Sequence, residues 1–216
     1  MEPMETLCHQ NSDEDTESYQ VEIVRHYDAL IDEDNDPVRD PPALKAHMDG
    51  WDGDTFMDAL QLSKEKRVLE IGVGTGRLAV RAAPLCKSFC GIDLSVKTIE
   101  RAKENLSGSQ SVRLICGDFL TCEFKGSFDV IYSSLTFMHI REKEAAIRKA
   151  AALLSESGRF VLSIEKSQAT VLTYGQRKIR IYPERPENIA RYIKVAGLNR
   201  VKQLETEFAW ILVGEK

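Results

Sequence analysis

The chain is poor in the residues that build metal and disulfide frameworks. Its five cysteines are an odd count with no CxxC pair, and its four histidines, His9, His26, His47 and His139, are scattered. Zinc sites and disulfide scaffolds need clustered ligands or paired thiols at fixed spacings, so no metal is expected. Cys8, Cys86, Cys90, Cys116 and Cys122 read as free thiols that fill the core. Cys86 and Cys90 would approach each other only on a helix, and the run from Phe89 is strand-like. Long apolar runs are also missing. None approaches the ~20 residues that span a bilayer, and Met1-Glu2-Pro3-Met4-Glu5 lacks the basic and apolar regions of a signal peptide. The expectation is a cytoplasmic protein without membrane contact.

Basic residues are scarce in one place only. Residues 1–40 hold 13 acids against Arg25 and Arg39, so the net charge of −5 hides an excess of 6 positive charges beyond residue 40. A clustered basic face is what a phosphate backbone attracts, and only the stretch Arg177–Lys202 hints at one, so nucleic acid is the lesser reading. A length of 216 residues suits one well-buried domain with modest additions.

Residues 1–17 are polar and acidic with no apolar face, which predicts a disordered or loosely attached arm. From Tyr19, the residues Ile23, Tyr27 and Leu30 recur at helical spacing up to the acidic stretch before Pro37. Two short helical patterns follow, around Ala43–Met48 and Thr55–Leu62, separated by the turn Asp49-Gly50-Trp51-Asp52-Gly53. Residues 18–63 therefore read as a helical lid segment and 64–216 as the main domain.

Beyond Lys64, apolar runs alternate with helical segments, the signature of a parallel sheet covered on both faces. The predicted strands are Arg67–Ile71, Phe89–Ile92, Val112–Cys116, Phe128–Ser133 and Arg159–Ile164. Ser95 is placed to cap a helix reaching Leu106, and Glu142–Leu154 carries a second apolar face. After Ile164 the order breaks into a hairpin insertion at 166–183, Thr170–Tyr174 and Lys178–Tyr182 around Gly175, then a helix from Pro186. The tail, Val201–Glu205 and Phe208–Val213, is too tightly connected to pair in parallel, so its last strand must be antiparallel.

The most informative segment is Val68-Leu69-Glu70-Ile71-Gly72-Val73-Gly74-Thr75-Gly76, a strand opening through glycines into a helix. Glycine serves where the backbone needs positive φ or where a ligand must approach it closely. Dinucleotide sites use GxGxxG, whereas these glycines fall at alternate positions. A nicotinamide dehydrogenase would also want a Tyr-x-x-x-Lys or similar donor, which does not accompany the loop. Asp93 follows Gly76 by 17 residues at the end of the second predicted strand, near the spacing that puts an acid on ribose hydroxyls. Asp118 ends the third. Three signals therefore fall on the carboxyl edge of one sheet, where open α/β folds bind ligands.

From about Arg67 the chain resembles the class I S-adenosylmethionine-dependent methyltransferases. The resemblance implies a Rossmann-like, mostly parallel seven-stranded sheet with an antiparallel last strand, helices on both faces and an N-terminal helical lid. It implies that Gly72, Gly74 and Gly76 cradle the methionine part of S-adenosylmethionine, with Glu70 ordering that loop or meeting the amine. Asp93 and the neighbouring Leu94 would hold the ribose, while Asp118 and Phe119 would take the adenine. Ser133 and the following Ser134–His139 would lie beside the methyl group. The Asn/Asp-Pro-Pro-aromatic tetrad of base-methylating enzymes is absent there, which favours a small-molecule acceptor. His139 is either a base beside the acceptor or a residue that packs against the next helix. Tyr27, Trp51 and Tyr174 are candidates to lid the pocket, or else packing aromatics. A nucleic-acid methyltransferase and a non-catalytic binder of the cofactor remain as rivals, and the sequence leaves open whether the chain is a monomer or a homodimer.

Overall fold

Two apolar faces on alternate residues of the same strands decide the architecture. In β1 (Arg67–Ile71), β4 (Phe128–Ser133) and β5 (Leu154–Glu165), the residues Val68, Val130 and Val161 point to one side, and Leu69, Ile131 and Phe160 to the other. A strand buried on both faces must be apolar throughout. The computed structural model describes residues 10–216, with side chains from Tyr19 onward.

Together with β2 (Ser88–Asp93), β3 (Val112–Cys116), β8 (Asn199–Glu205) and β9 (Ala209–Glu215), these strands form a seven-stranded sheet in the order β3-β2-β1-β4-β5-β9-β8. Strands β1 to β5 are parallel, and β9, the last in sequence, runs antiparallel to both its neighbours. This is the expected Rossmann-like sheet. Helices α6 (Lys143–Leu153) and α7 (Pro186–Val195) pack on one face through Ile147, Ala150, Ile189 and Ile193. Helices α3 (Gly53–Leu60), α4 (Ala79–Ala82) and α5 (Val96–Asn105) cover the other through Phe56, Leu60, Ala79 and Ile99. Cys86 and Cys90 lie in the two different cores, on opposite faces of the sheet, so they do not approach; Cys8 lies outside the described residues.

Three expectations need correction. Helix α1 spans Gln10–Asp32, so residues 10–17 of the expected loose arm form its first turns; residues 1–9 lie outside the described residues. The glycine loop does not open straight into a long helix, because α4 is four residues long and starts only at Ala79. The fifth strand begins at Leu154 rather than Arg159, with a register irregularity where it meets β4. The hairpin forms as a separate two-stranded sheet, β6 (Val171–Tyr174) with β7 (Arg177–Arg180). Among the described residues no helix is long and apolar enough to cross a membrane.

Helix α1 and the turn after it lie over the carboxyl edge, tied down by charge. Asp28 accepts from Ser95 Oγ at 2.6 Å, Asp32 pairs with Lys97 at 2.6 Å, and Asp34 pairs with Arg101 at 3.3 Å. Exposed pairs of this kind contribute little singly. Asp36 is different: it is buried and accepts from Asn105 Nδ2 (3.0 Å), Arg101 (3.3 Å) and the Val38 amide (3.1 Å). Removing it leaves those donors unpaired. Asp36→Ala is therefore expected to speed amide hydrogen exchange in residues 33–40 by about tenfold or more while the amides of β1 and β4 stay protected, as peptide-level exchange would read.

Candidate active site

The ends of β1, β2, β3 and β4 converge on a cavity of about 330 Å³, roofed by Ile23, Tyr27 and Leu30 of α1. The glycine loop forms its floor. Gly72 has φ +76°, and a Cβ there would overlap the Thr136 side chain. Gly74 has φ +54°, lines the cavity and would meet nothing within 4 Å if a Cβ were added. The first glycine thus serves the packing of two loops, and the second keeps the cavity floor open. Gly76 also has positive φ but does not line the cavity, so it shapes the turn.

Asp93 ties this loop to the next one. Its Oδ2 accepts from the Gly74 amide (3.0 Å) and its Oδ1 from the Ser95 amide (3.1 Å). Burial raises the Asp93 carboxyl, partly opposed by these amides. Ser95 meanwhile caps α5 through the Thr98 amide at 3.0 Å, which leaves Asp93 free of that task. Leu94 lines the cavity beside it. Asp118 Oδ1 accepts from the Leu120 amide (2.9 Å), and its Oδ2 accepts from Gln20 Nε2 of α1 (3.2 Å). Phe119 is buried at the cavity wall with the Lys149 ammonium 5.5 Å from its ring centroid.

Below the loop lies a buried network that the sequence did not signal. Glu70 Oε2 accepts from the Tyr132 hydroxyl at 2.9 Å, and burial pushes its carboxyl up to about 8. Asp52, almost fully buried, accepts from Ser134 Oγ (2.7 Å), from the Gly53 amide (2.7 Å) and from both terminal nitrogens of Arg77, one at 2.9 Å. The pair joins the lid segment to the glycine loop across 25 residues of sequence. Glu70 stood out beforehand as the acid before the glycine loop and Asp52 as part of a turn, but nothing in the local pattern pointed to Arg77 or Tyr132.

His139 ends a 3-10 turn, Phe137–His139, and lines the cavity. Its Nε2 lies 2.8 Å from the Tyr27 hydroxyl, and its Nδ1 lies 3.5 Å from that of Tyr19. Tyr19 donates its proton to the Arg180 carbonyl at 2.6 Å, so toward His139 it can only accept. The imidazole proton then sits on Nδ1, and Nε2 accepts from Tyr27. Burial lowers His139 to about 4, with His26 and Lys143 adding to the effect, so the ring is neutral at neutral pH.

Three predicted site residues lie elsewhere. Ser133 is fully buried, donates to the Ile71 carbonyl at 2.7 Å and does not line the cavity; Ser134 does. Trp51 points away from the cavity, with its indole N–H on Glu165 at 3.1 Å and its ring 4.6 Å from Phe208. Tyr174 accepts from Asn35 Nδ2 at 2.7 Å and stacks near Arg177, fastening the hairpin to the end of the lid. In each case the side chain's polar atom is taken by a partner distant in sequence that the fold brings beside it. Among the described residues no group of three or more His, Cys, Asp or Glu side chains is placed to hold a metal ion.

Two measurements test this geometry. Gly72→Ala is expected to destabilise the fold by roughly 2 kcal/mol or more through overlap and unfavourable φ, read by urea denaturation; Gly74→Ala should cost less than half of that. Glu70 favours the folded state while protonated, so its contribution is full below about pH 4.5 and is lost as pH rises through about 8. The neutral isostere Glu70→Gln should flatten the fall in melting temperature across that window in ligand-free protein; an unchanged slope would remove Glu70 from the account.

The family described as "Methyltransferase domain" matches residues 69–162, from β1 into β5. An uncharacterized methyltransferase of Anoxybacillus flavithermus is 36% identical over 121 residues, covering 54% of this chain and 56% of that protein. Phosphoethanolamine N-methyltransferase 1 of Triticum aestivum is 35% identical over 111 residues, 50% of this chain and 22% of that one. The chain thus spans about half the length, or less, of the curated relatives it matches. The solved structure of the DhpI–SAH complex superposes with a TM-score of 0.70 at 15% identity, over 90% of this chain and 96% of that one. Sheet order, glycine loop and matched domain agree: residues 69–162 match the methyltransferase-domain family, on the Rossmann-like sheet that the solved methyltransferase structures share.

Proposed function

We propose that the chain transfers the methyl group of S-adenosylmethionine to a small-molecule acceptor. The observation that carries this reading is the convergence of Gly74, Asp93 and Asp118, from three successive strand ends, on one cavity that also holds a neutral histidine.

The residues present fit the cofactor. The open face of Gly74 leaves room against the backbone for its amino-acid end. Each Asp93 oxygen accepts one amide hydrogen and keeps a lone-pair direction for a ribose hydroxyl. Asp118 and Phe119 offer an acceptor and an apolar wall for adenine. When bound, the cofactor supplies an electrophilic methyl on a sulfonium, and alignment of nucleophile, methyl and sulfur does much of the work. This chain's residues provide the rest. Nε2 of His139 is a neutral acceptor, satisfied by Tyr27 while no substrate is present, and it can take a proton from an acceptor O–H or N–H that reaches it. The α1 roof excludes water from that transfer. A small acceptor is favoured by the α1 roof over the cavity, formed by Ile23, Tyr27 and Leu30, and by the name of the wheat relative.

Calorimetric titration with S-adenosylmethionine, S-adenosylhomocysteine and NAD tests the reading. Binding of the first two and not of NAD is expected, weakened about tenfold or more in Asp93→Ala and in Gly74→Ala; no binding of either sulfur nucleoside would overturn the assignment. Once an acceptor is in hand, His139→Ala should lower kcat by roughly a hundredfold with cofactor affinity unchanged. Because the ring protonates only near pH 4, the wild-type rate should owe no loss to His139 down to about pH 5.

A further inference from the structure

The charges lining the cavity are unevenly satisfied. At the cofactor end, Arg77 is neutralised by Asp52, and Asp93 and Asp118 are held by amide donors. Past His139 the wall is made by Tyr19, Arg141, Glu142, Arg180 and Tyr182. Elsewhere Arg39, Arg67, Arg101, Arg159 and Arg177 lie within 4.0 Å of a carboxylate, whereas Arg25, Arg113, Arg185 and Arg191 have no ion pair among the described residues and do not line the cavity. Among the described residues, Arg141 and Arg180 have no such partner, although Glu142 adjoins the first in sequence.

The backbone that carries both is tied close to the reacting end, and both residues are exposed at the cavity wall. Tyr19 donates to the Arg180 carbonyl at 2.6 Å and lies 3.5 Å from His139 Nδ1. The Tyr182 amide donates to the Met138 carbonyl at 2.8 Å, which stitches the exit of β7 to the loop carrying His139 and Arg141. Behind them the buried Lys143 ammonium donates to the Ile140 carbonyl at 2.7 Å and sits 5.8 Å from the Tyr182 ring centroid. Three cations thus face Glu142 and Glu184, the carboxylates that act on Lys143. A third carboxylate, Glu22, acts on Tyr19 from α1, so what this end of the cavity offers is two guanidinium forks and not an excess of charge.

From this arrangement, and resting on the methyltransferase reading above, we infer that the methyl acceptor carries an anionic oxyacid group, held by Arg141 and Arg180 while its nucleophile faces His139. A guanidinium offers a planar fork of donors that matches carboxylate or phosphate oxygens. The phenols of Tyr19 and Tyr182 flank that position, their rings 5.1 Å apart. Such a group would fix the acceptor at the far end of the cavity from the cofactor's nucleoside. It would also select against acceptors that bring a cation or a neutral tail to this end.

The test uses the full chain saturated with S-adenosylhomocysteine, titrated calorimetrically with inorganic phosphate and, separately, with malonate. At least one anion is expected to bind saturably, and the stronger of the two tells phosphate from carboxylate. Arg141→Gln and Arg180→Gln should each weaken it roughly ten- to a hundredfold while affinity for S-adenosylhomocysteine holds within about twofold. Arg148→Gln, a change on the outer face of α6, should alter neither. The inference is overturned if neither anion binds, if both bind the Arg141→Gln/Arg180→Gln double variant as well as the wild type, or if Arg148→Gln weakens them equally. If S-adenosylhomocysteine itself fails to bind, the cofactor reading falls, and the same anion titrations on the chain alone still decide the role of the two arginines.

Discussion

The carboxylate of Asp93, shared between the amides of Gly74 and Ser95, is the contact on which the rest of the site depends. It joins the loop after β1 to the loop after β2, and through Ser95 Oγ and Asp28 it reaches the roof helix. A buried carboxylate without such donors would be costly, so the two loops and the acid hold one another in place. The cavity floor, the acid at its wall and the lid above are one hydrogen-bonded unit. That unit exists only because parallel strands deliver all their carboxyl ends to the same edge.

The acidic N-terminal region acquires a purpose in the folded chain. Its carboxylates at Asp28, Asp32, Asp34 and Asp36 run along Ser95, Lys97, Arg101 and Asn105 of the α5 segment, and Glu33 meets Arg177 of the hairpin. Five of the 13 acids in the first 40 residues thus fasten a lid to its own domain. Most of these pairs are exposed and weak, and Asp36 is the buried one, so the closure is broad and easily reversed except at that point. Such a lid suits a site that must admit substrate and release product.

Methyl transfer asks the protein for placement more than for covalent chemistry. The structure answers with a division of labour along the cavity. On the proposed reading, rigid strand ends and glycine backbone hold the cofactor side. On the same reading, the α1 roof, the turn after β4 and the hairpin, which meet through tyrosine hydroxyls and the Glu33–Arg177 pair, define the acceptor side. This is the part that can differ between relatives of one fold, because its residues come from additions to the sheet and not from the sheet itself.

What the sequence by itself determined is the part governed by local periodicity and spacing: the parallel strands, the antiparallel last strand, Ser95 as a cap, and Gly74, Asp93 and Asp118 at successive strand ends. Those signals survive because each needs only a few adjacent residues to be read, and the strand order then brings them together. The tertiary structure decided the rest. Arg77 and Asp52 are 25 residues apart, and Tyr19 and Tyr27 lie more than a hundred residues from His139, so no window along the chain could have paired them. Trp51, Tyr174 and Ser133 look like site residues in one dimension and are taken by Glu165, Asn35 and the Ile71 carbonyl in three. An aromatic or hydroxyl side chain spends its polar atom on whatever packing brings near, and packing is a property of the whole fold.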